Sequence, residues 1–303
     1  MEIINTNQKE LRIGQKIINK QGLLVEIIEY KDANNIVVKF ENGYTKKTWY
    51  KCFKDGSVSL PIDRVGQTNY SNDGYLMTIV EYKNENNMII EFQDKYKTRK
   101  NTRYKEFLSG KVKYPFHKSL CGVGYVGIMH NDKIDKKSYH VWSAMIKRCY
   151  ENKNMAYKDC TVCDEWLCYA NFKNWFDKNY YEIDGEKIEL DKDILVKGNK
   201  VYSPETCCFV PSYVNCVILL NKKQRGKLPV GICYIEKYKK YSVSVSINKK
   251  RQFIGNYNDI STAFQAYKQA KENEIKRVAD LYKNIIPENV YNALYKWEVE
   301  ITD

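Results

Sequence analysis

Histidine is scarce in this chain, with three residues in 303 at positions 117, 130 and 140. None lies beyond His140, so the C-terminal half has no imidazole of its own for general-base or metal chemistry. Long apolar runs are missing too. The first residues, MEIINTNQKELRIG, have no apolar core of the length a secretory signal needs, and no stretch suits a membrane span. The expectation is a cytoplasmic protein with no membrane partner. Acidic residues are outnumbered, 37 Asp and Glu against 50 Lys and Arg, for a net charge of +13. Such an excess calls for an acidic partner, and a polyphosphate is the commonest one because each neutralised phosphate releases a counterion.

Apolar residues make up 43% of the chain, which argues against wholesale disorder. The positive charge is unevenly placed. From Lys222 to Arg251 there are ten Lys or Arg and only Glu236 against them, and from Lys95 to Lys118 nine against Glu106. The stretch Asp177–Asp193 is acidic. Unevenness of this kind points to binding surfaces, although a general lysine enrichment would also raise the total. Ten cysteines without a signal sequence suggest buried or metal-bound thiols rather than disulfides.

The N-terminal part repeats itself. Residues 12–61 and 64–115 align so that Gly14 matches Gly66, Gly22 Gly74, Tyr30 Tyr82 and Phe40 Phe92. After a small insertion Tyr50, Phe53 and Gly56 match Tyr104, Phe107 and Gly110. β-rich runs such as Leu24–Tyr30 and Ile36–Phe40 alternate with polar turns, which predicts several short strands per repeat. In pattern each repeat resembles a small, strongly bent β-barrel of the KOW or Tudor type. The expected organisation is a barrel over 1–62, a second over 63–116, a Gly-rich linker over 117–138, a central domain over 139–221 and a C-terminal domain over 222–303.

In the central segment, Tyr139, Trp142, Met145 and Ile146 predict a helix ending near Tyr150. Trp166, Phe172, Trp175 and Phe176 predict another from about Glu165 to Phe176, and Tyr202-Ser203-Pro204-Glu205 predicts a third starting at an N-capping Ser203. Cys160 and Cys163 have the spacing of a zinc knuckle, and Cys207 with Cys208 could close such a site. A second C-x-x-C pair is missing, so packed free thiols remain the other reading.

The runs YHVWSAMIKRCY (139–150), CTVCDEW (160–166) and LDKDILVKGNKVYSPETCCFVP (190–211) resemble phage and mobile-element proteins related to HNH endonucleases. That resemblance implies a ββα-metal centre in which a histidine activates water and neighbouring groups hold one divalent metal. It puts Asp191 at the metal-ligand position, with Mg²⁺ the metal implied, and Lys192 at the position of the general base. Asn199 corresponds to the loop asparagine, while Asp193 and Glu205 are further carboxylates of the same block. Thr206 stands where the relatives have Asn. A lysine side chain is an ammonium at neutral pH and cannot take a proton from water. The centre is therefore expected to be degenerate.

In residues 228–283, Tyr241, Val243, Val245 and Ile247 alternate with Ser242, Ser244 and Ser246. A turn at 248–250, a strand at 251–254 and a helix starting near Ser261 complete a three-stranded sheet plus helix. The pattern resembles the Apetala-type domain of plant ethylene-response factors, through Gly231, Tyr241, Val243, Ile254-Gly255, Tyr257, Ala263, Ala266-Tyr267 and Ala270. The resemblance implies a sheet entering the DNA major groove, with Lys240, Ser242, Ser244 and Ser246 facing bases. Lys237, Lys249, Lys250 and Arg251 would lie near phosphates. Serine reads bases ambiguously, which implies weak sequence specificity.

The expected fold class is thus α+β and multidomain: two tandem small β-barrels, a degenerate HNH-like centre and the C-terminal sheet with its helix. The expected function is phage-type binding of duplex DNA by a protein derived from a homing endonuclease, in the host cytoplasm. Two other readings stand beside it: a working metal-dependent DNA endonuclease, and an anti-defence inhibitor that captures a host or phage protein through the barrels.

Overall fold

The computed structural model describes residues 11–129, 133–151, 157–218 and 228–302. His130 and the basic residues Lys222, Lys223, Arg225 and Lys227 lie outside the described residues. The chain is a mixed α+β protein of small, mainly antiparallel sheets with seven α-helices among the described residues. No described helix is long and apolar enough to cross a membrane. It divides into two compact units, Met1–Lys113 and Tyr114–Asp303.

The first unit holds the two repeats. Strands β1 (Lys16–Ile18), β2 (Leu24–Asp32), β3 (Asn35–Phe40) and β4 (Thr45–Thr48) form an antiparallel sheet in chain order, followed by the one-turn helix α1 (Tyr50–Lys54). Strands β5 (Thr68–Tyr70), β6 (Leu76–Asn84), β7 (Asn87–Phe92) and β8 (Arg99–Thr102), with helix α2 (Tyr104–Leu108), do the same. Registers match as well: Ile17 pairs with Val25 as Asn69 pairs with Met77. The long second strand of each sheet is irregular at the same two places, after Ile27 and Tyr30 and after Ile79 and Tyr82. Bulges there bend and twist the sheet. Each repeat buries the alternate residues of its central strands, Val25, Ile27, Ile36 and Val38 in one and Met77, Ile79, Met88 and Ile90 in the other. Arg12 lies over the ring of Tyr50 at 4.3 Å and Arg64 over that of Tyr104 at 3.7 Å, so the repeats share a cation–π clamp as well as a core.

The second unit begins with the segment expected to be a linker. Its described part is packed: Leu120, Val123, Val126 and Met129 lie against the core built by helices α3 (Lys136–Tyr150) and α4 (Tyr169–Asn179). Trp142, Met145, Ile146 and Cys149 form the buried stripe of α3, and Asp135 caps it by accepting the Ser138 N–H at 2.8 Å. The helix expected from Glu165 is broken in two. A 3₁₀ turn (Asp164–Leu167) precedes α4, and the chain at Tyr125 and Val126 accepts the backbone N–H groups of Tyr169 and Ala170. Those bonds cap α4, so it starts at Tyr169. A Cβ on Gly127 would stand 2.4 Å from Cys168 Sγ, which is why this crossing needs glycine.

Strands β10 (Ile188–Asp191) and β12 (Cys208–Pro211) pair antiparallel and lead into helix α5 (Ser212–Ile218). Between them, β11 (Val201–Tyr202) pairs parallel with β9 (Thr161–Val162). Ser203 does not start a helix: residues 203–206 form a turn, held by Cys207 N–H to Ser203 O at 3.0 Å. The last elements are β13 (Ile232–Ile235), β14 (Lys240–Ile247) and β15 (Lys250–Tyr257), helix α6 (Ile260–Leu281) and helix α7 (Glu288–Tyr295). The three strands form one antiparallel sheet with α6 against it. The boundary expected at 221/222 lies outside the described residues, and the strands before it divide their packing between two cores. Phe209 belongs to the core of α3 and α4, whereas Cys208, Val210 and Val214 belong to the core of the C-terminal sheet and α6.

Candidate nucleic-acid interface and the central loop

Asp191 ends β10 and is buried, with 8% of its surface exposed. Its Oδ1 accepts the backbone N–H groups of Asp193 and Ile194, each at 2.7 Å. Burial pushes its carboxyl above the ordinary aspartate range, against the pull of those two N–H groups. Lys192 is buried as well. Its ammonium donates to Asp193 Oδ2 and to the backbone carbonyl of Asn199, both at 2.7 Å. Asn199 answers with Nδ2, donating to the carbonyls of Lys192 at 3.0 Å and Val201 at 2.6 Å. The three residues thus clasp the loop that starts after β10. Thr206 Oγ1 joins the same framework by donating to Val201 O at 2.9 Å. Glu205 is exposed, and a hydrogen bond from Ser203 lowers its pKa.

Among the described residues no three His, Cys, Asp or Glu side chains gather into a metal site. Asp191 Oδ1 is already taken by two backbone N–H groups and Asp193 Oδ2 by the Lys192 ammonium, so these carboxylates fit poorly the divalent ion that the HNH resemblance implies. Cys160 and Cys163 do not fit a zinc ion either, since among the described residues no third ligand gathers with them. Burial pushes the Cys149 thiol up to about 11 and the Cys207 thiol up to about 12, away from the thiolate a metal needs. Cys160, Cys207 and Phe209 are instead core residues.

The C-terminal sheet has two unlike faces. Val243 and Val245 are buried against α6, and Tyr241 and Ile247 pack beside them. The other face follows from the register. Ser242 lies between Cys233 and Asn256, Ser244 opposite Phe253, and Ser246 opposite Arg251. Lys240, Ser246, Arg251, Asn256 and Cys233 are exposed, and Phe253 is 63% exposed. Strands β13 to β15 contain no Asp or Glu. The side-chain positions expected at Lys240, Ser242, Ser244, Ser246 and Arg251 therefore share one face. Lys250 pairs with Ile247 and belongs by register to the opposite face, and Lys249 leans over the Tyr213 ring at 4.5 Å. Lys237 sits on a 3₁₀ turn with its ammonium 5.4 Å from the Tyr238 ring.

Phe253 and Asn256 escaped the sequence reading because the hairpin turn has two residues, not three. Asn248 and Lys249 both have positive φ, 52° and 63°, so Ile247 pairs with Lys250 and Ser244 with Phe253. Asn at the first turn position was the available signal. A bulge after Val243 turns Ile254 toward the core and leaves Asn256 outside. Gly231 has φ +78°, and a Cβ there would come within 2.1 Å of the Tyr267 ring, so the start of β13 lies tight on α6.

Compared with known proteins, the chain matches no family model, no curated protein and no solved structure.

Proposed function

We propose that the chain binds duplex DNA through the exposed face of its C-terminal sheet, and that it is a phage-type protein descended from an HNH homing endonuclease. The observation that carries the reading is a carboxylate-free sheet whose outer face combines Lys240 and Arg251 with three serines and the exposed ring of Phe253. Cations meet phosphates, hydroxyls reach base edges or phosphates, and an exposed ring contacts a thymine methyl or a base face. The helix α6 supports this face from behind, as in an Apetala-type module.

In this reading the strand–strand–helix order of β10, β12 and α5 is the remnant of a ββα-metal unit, with Asp191 at the end of its first strand. Lys192 holds the loop and does not serve as a base. The bent repeats are small barrels that dock a host or phage protein. Ile18 and Tyr70, at corresponding ends of the first strands, are each 63% exposed, which favours contact there. The protein acts in the host cytoplasm.

The test is an electrophoretic shift of duplex DNA by the full chain across a salt series. Phe253→Ala and Arg251→Ala, both at exposed positions, should weaken the shift without lowering the unfolding temperature. Equal affinity in both variants and the parent sinks the assignment to this face.

A further inference from the structure

A cavity of about 550 Å³ opens among the chain before β10, helix α5, the β14–β15 hairpin and helix α6. Its wall includes Ser212, Tyr213, Lys249, Lys271, Glu274 and Tyr282. Lys271 is the unusual member. It is 7% exposed, and among the described residues it has no hydrogen bond or ion pair. Burial pulls its pKa down, countered in part by Glu274 nearby. Its stem is packed while the unpaired ammonium borders the cavity, so an anion entering there would meet a cation with no hydrogen-bonded counter-charge.

The acidic groups of the wall are already engaged. Glu274 accepts from Arg277 Nε at 2.7 Å and Nη2 at 2.9 Å, from Tyr213 OH at 3.1 Å and from Asn248 N–H at 2.9 Å. The exposed Glu186 accepts from Tyr282 OH at 2.8 Å, and Lys187 pairs with Glu189 at 2.7 Å. The charge left over is that of Lys271 and Lys249. Two ammonium groups suit a dianion better than a carboxylate, and the volume exceeds that of a bare oxyanion.

We propose that this cavity is a phosphate-binding site, with Lys271 as its buried cation and Lys249 as its cation at the hairpin. The phosphate comes either from a free organic phosphate or from the backbone of bound DNA. The site shares Lys249 with the hairpin assigned to DNA, yet it stands without that assignment.

The test titrates the full chain calorimetrically with inorganic phosphate and with adenosine 5′-monophosphate. Binding of at least one of them is expected, weakened at least tenfold in Lys271→Met. That variant replaces an unpaired buried charge by an apolar chain of similar length and should melt no lower than the parent. Lys249→Glu, at an exposed turn position, is the second variant, and it should lose phosphate binding with an unchanged melting temperature. Neither anion binding the parent, or affinities unaltered in both variants, overturns the proposal. Displacement of the bound anion by a duplex identifies the backbone phosphate as the natural ligand; simultaneous binding identifies a free organic phosphate. A chain that binds phosphate but shifts no duplex refutes the DNA assignment alone, and one that shifts duplex but binds neither anion refutes this one alone.

Discussion

At the scale of single residues, the loop after β10 is held by Asp191, Lys192 and Asn199, and each works through backbone groups. Asp191 provides one oxygen to two buried N–H groups. Asparagine can accept the same two bonds without a charge, whereas alanine cannot. Asp191→Ala is therefore expected to lose about 1–3 kcal/mol in urea unfolding, the usual cost of leaving buried polar groups unpaired. Asp191→Asn should be at least as stable as the parent at neutral pH. The sign follows from the raised carboxyl pKa. A pKa higher in the folded state gives stability that is complete below the unfolded value near 4 and is lost as pH rises through the folded value. The parent should show that loss on leaving the acid range, and the Asn variant should lack it. The cysteines offer a second residue-scale measurement. Cys216 and Cys233 are exposed, while Cys149 and Cys207 are buried with raised thiol pKa values. Mass spectrometry after brief alkylation at neutral pH should find the first pair modified and the second protected until the chain unfolds. Rapid modification of Cys207 in the native protein contradicts the packing of this core.

At the scale of elements, Gly231→Ala is a sharp probe of how the sheet meets α6. The added methyl meets the Tyr267 ring at 2.1 Å and Ser244 O at 2.8 Å, on a backbone with φ +78°. Overpacking and left-handed strain together should cost about 2–4 kcal/mol. A melting temperature within one degree of the parent shows that α6 does not press on the strand. The elements also show what a sequence can and cannot disclose. Both repeats were legible because glycine, tyrosine and phenylalanine recur at matching places, and the sheets keep the same pairing. The β14 alternation and the stripe of α3 were legible because each buries one face. The start of α4 was not, since Tyr125 and Val126 come from more than forty positions earlier to cap it. Ser203-Pro204 had the wording of a helix start, but its residues bond within a turn between strands. Of the candidate site, the serine face was readable from period two. Phe253 needed the turn length, and Lys271 needed the long-range packing of α6.

At the scale of the whole molecule, the proposed descent from an HNH endonuclease raises the question of whether this basic chain would cut DNA or only hold it. Holding should depend strongly on salt. Each phosphate that is no longer neutralised reduces the slope of log affinity against log salt by about 0.9. Replacing Lys240 and Arg251, the two cations of the exposed face, together by Ala is therefore expected to flatten the slope by up to about twice that amount. Cutting should be absent or weak with Mg²⁺ or Mn²⁺. A missing general base costs about two to four orders of magnitude, and Lys192 at that position is tied to Asp193 and the Asn199 carbonyl. The decisive variant is Lys192→His. If the loop were a nuclease centre short of one base, the imidazole would restore nicking of supercoiled plasmid. The structure leads to the opposite expectation. Lys192 spans Asp193 and the Asn199 carbonyl, so its replacement breaks the clasp and leaves that carbonyl without its ammonium donor. The variant should stay inactive and lose about 1–3 kcal/mol of stability. Robust nicking by the parent chain, abolished by Asp191→Ala but preserved in a folded Asp193→Ala control, would show that Asp191 is a working ligand and that the central loop is an active site.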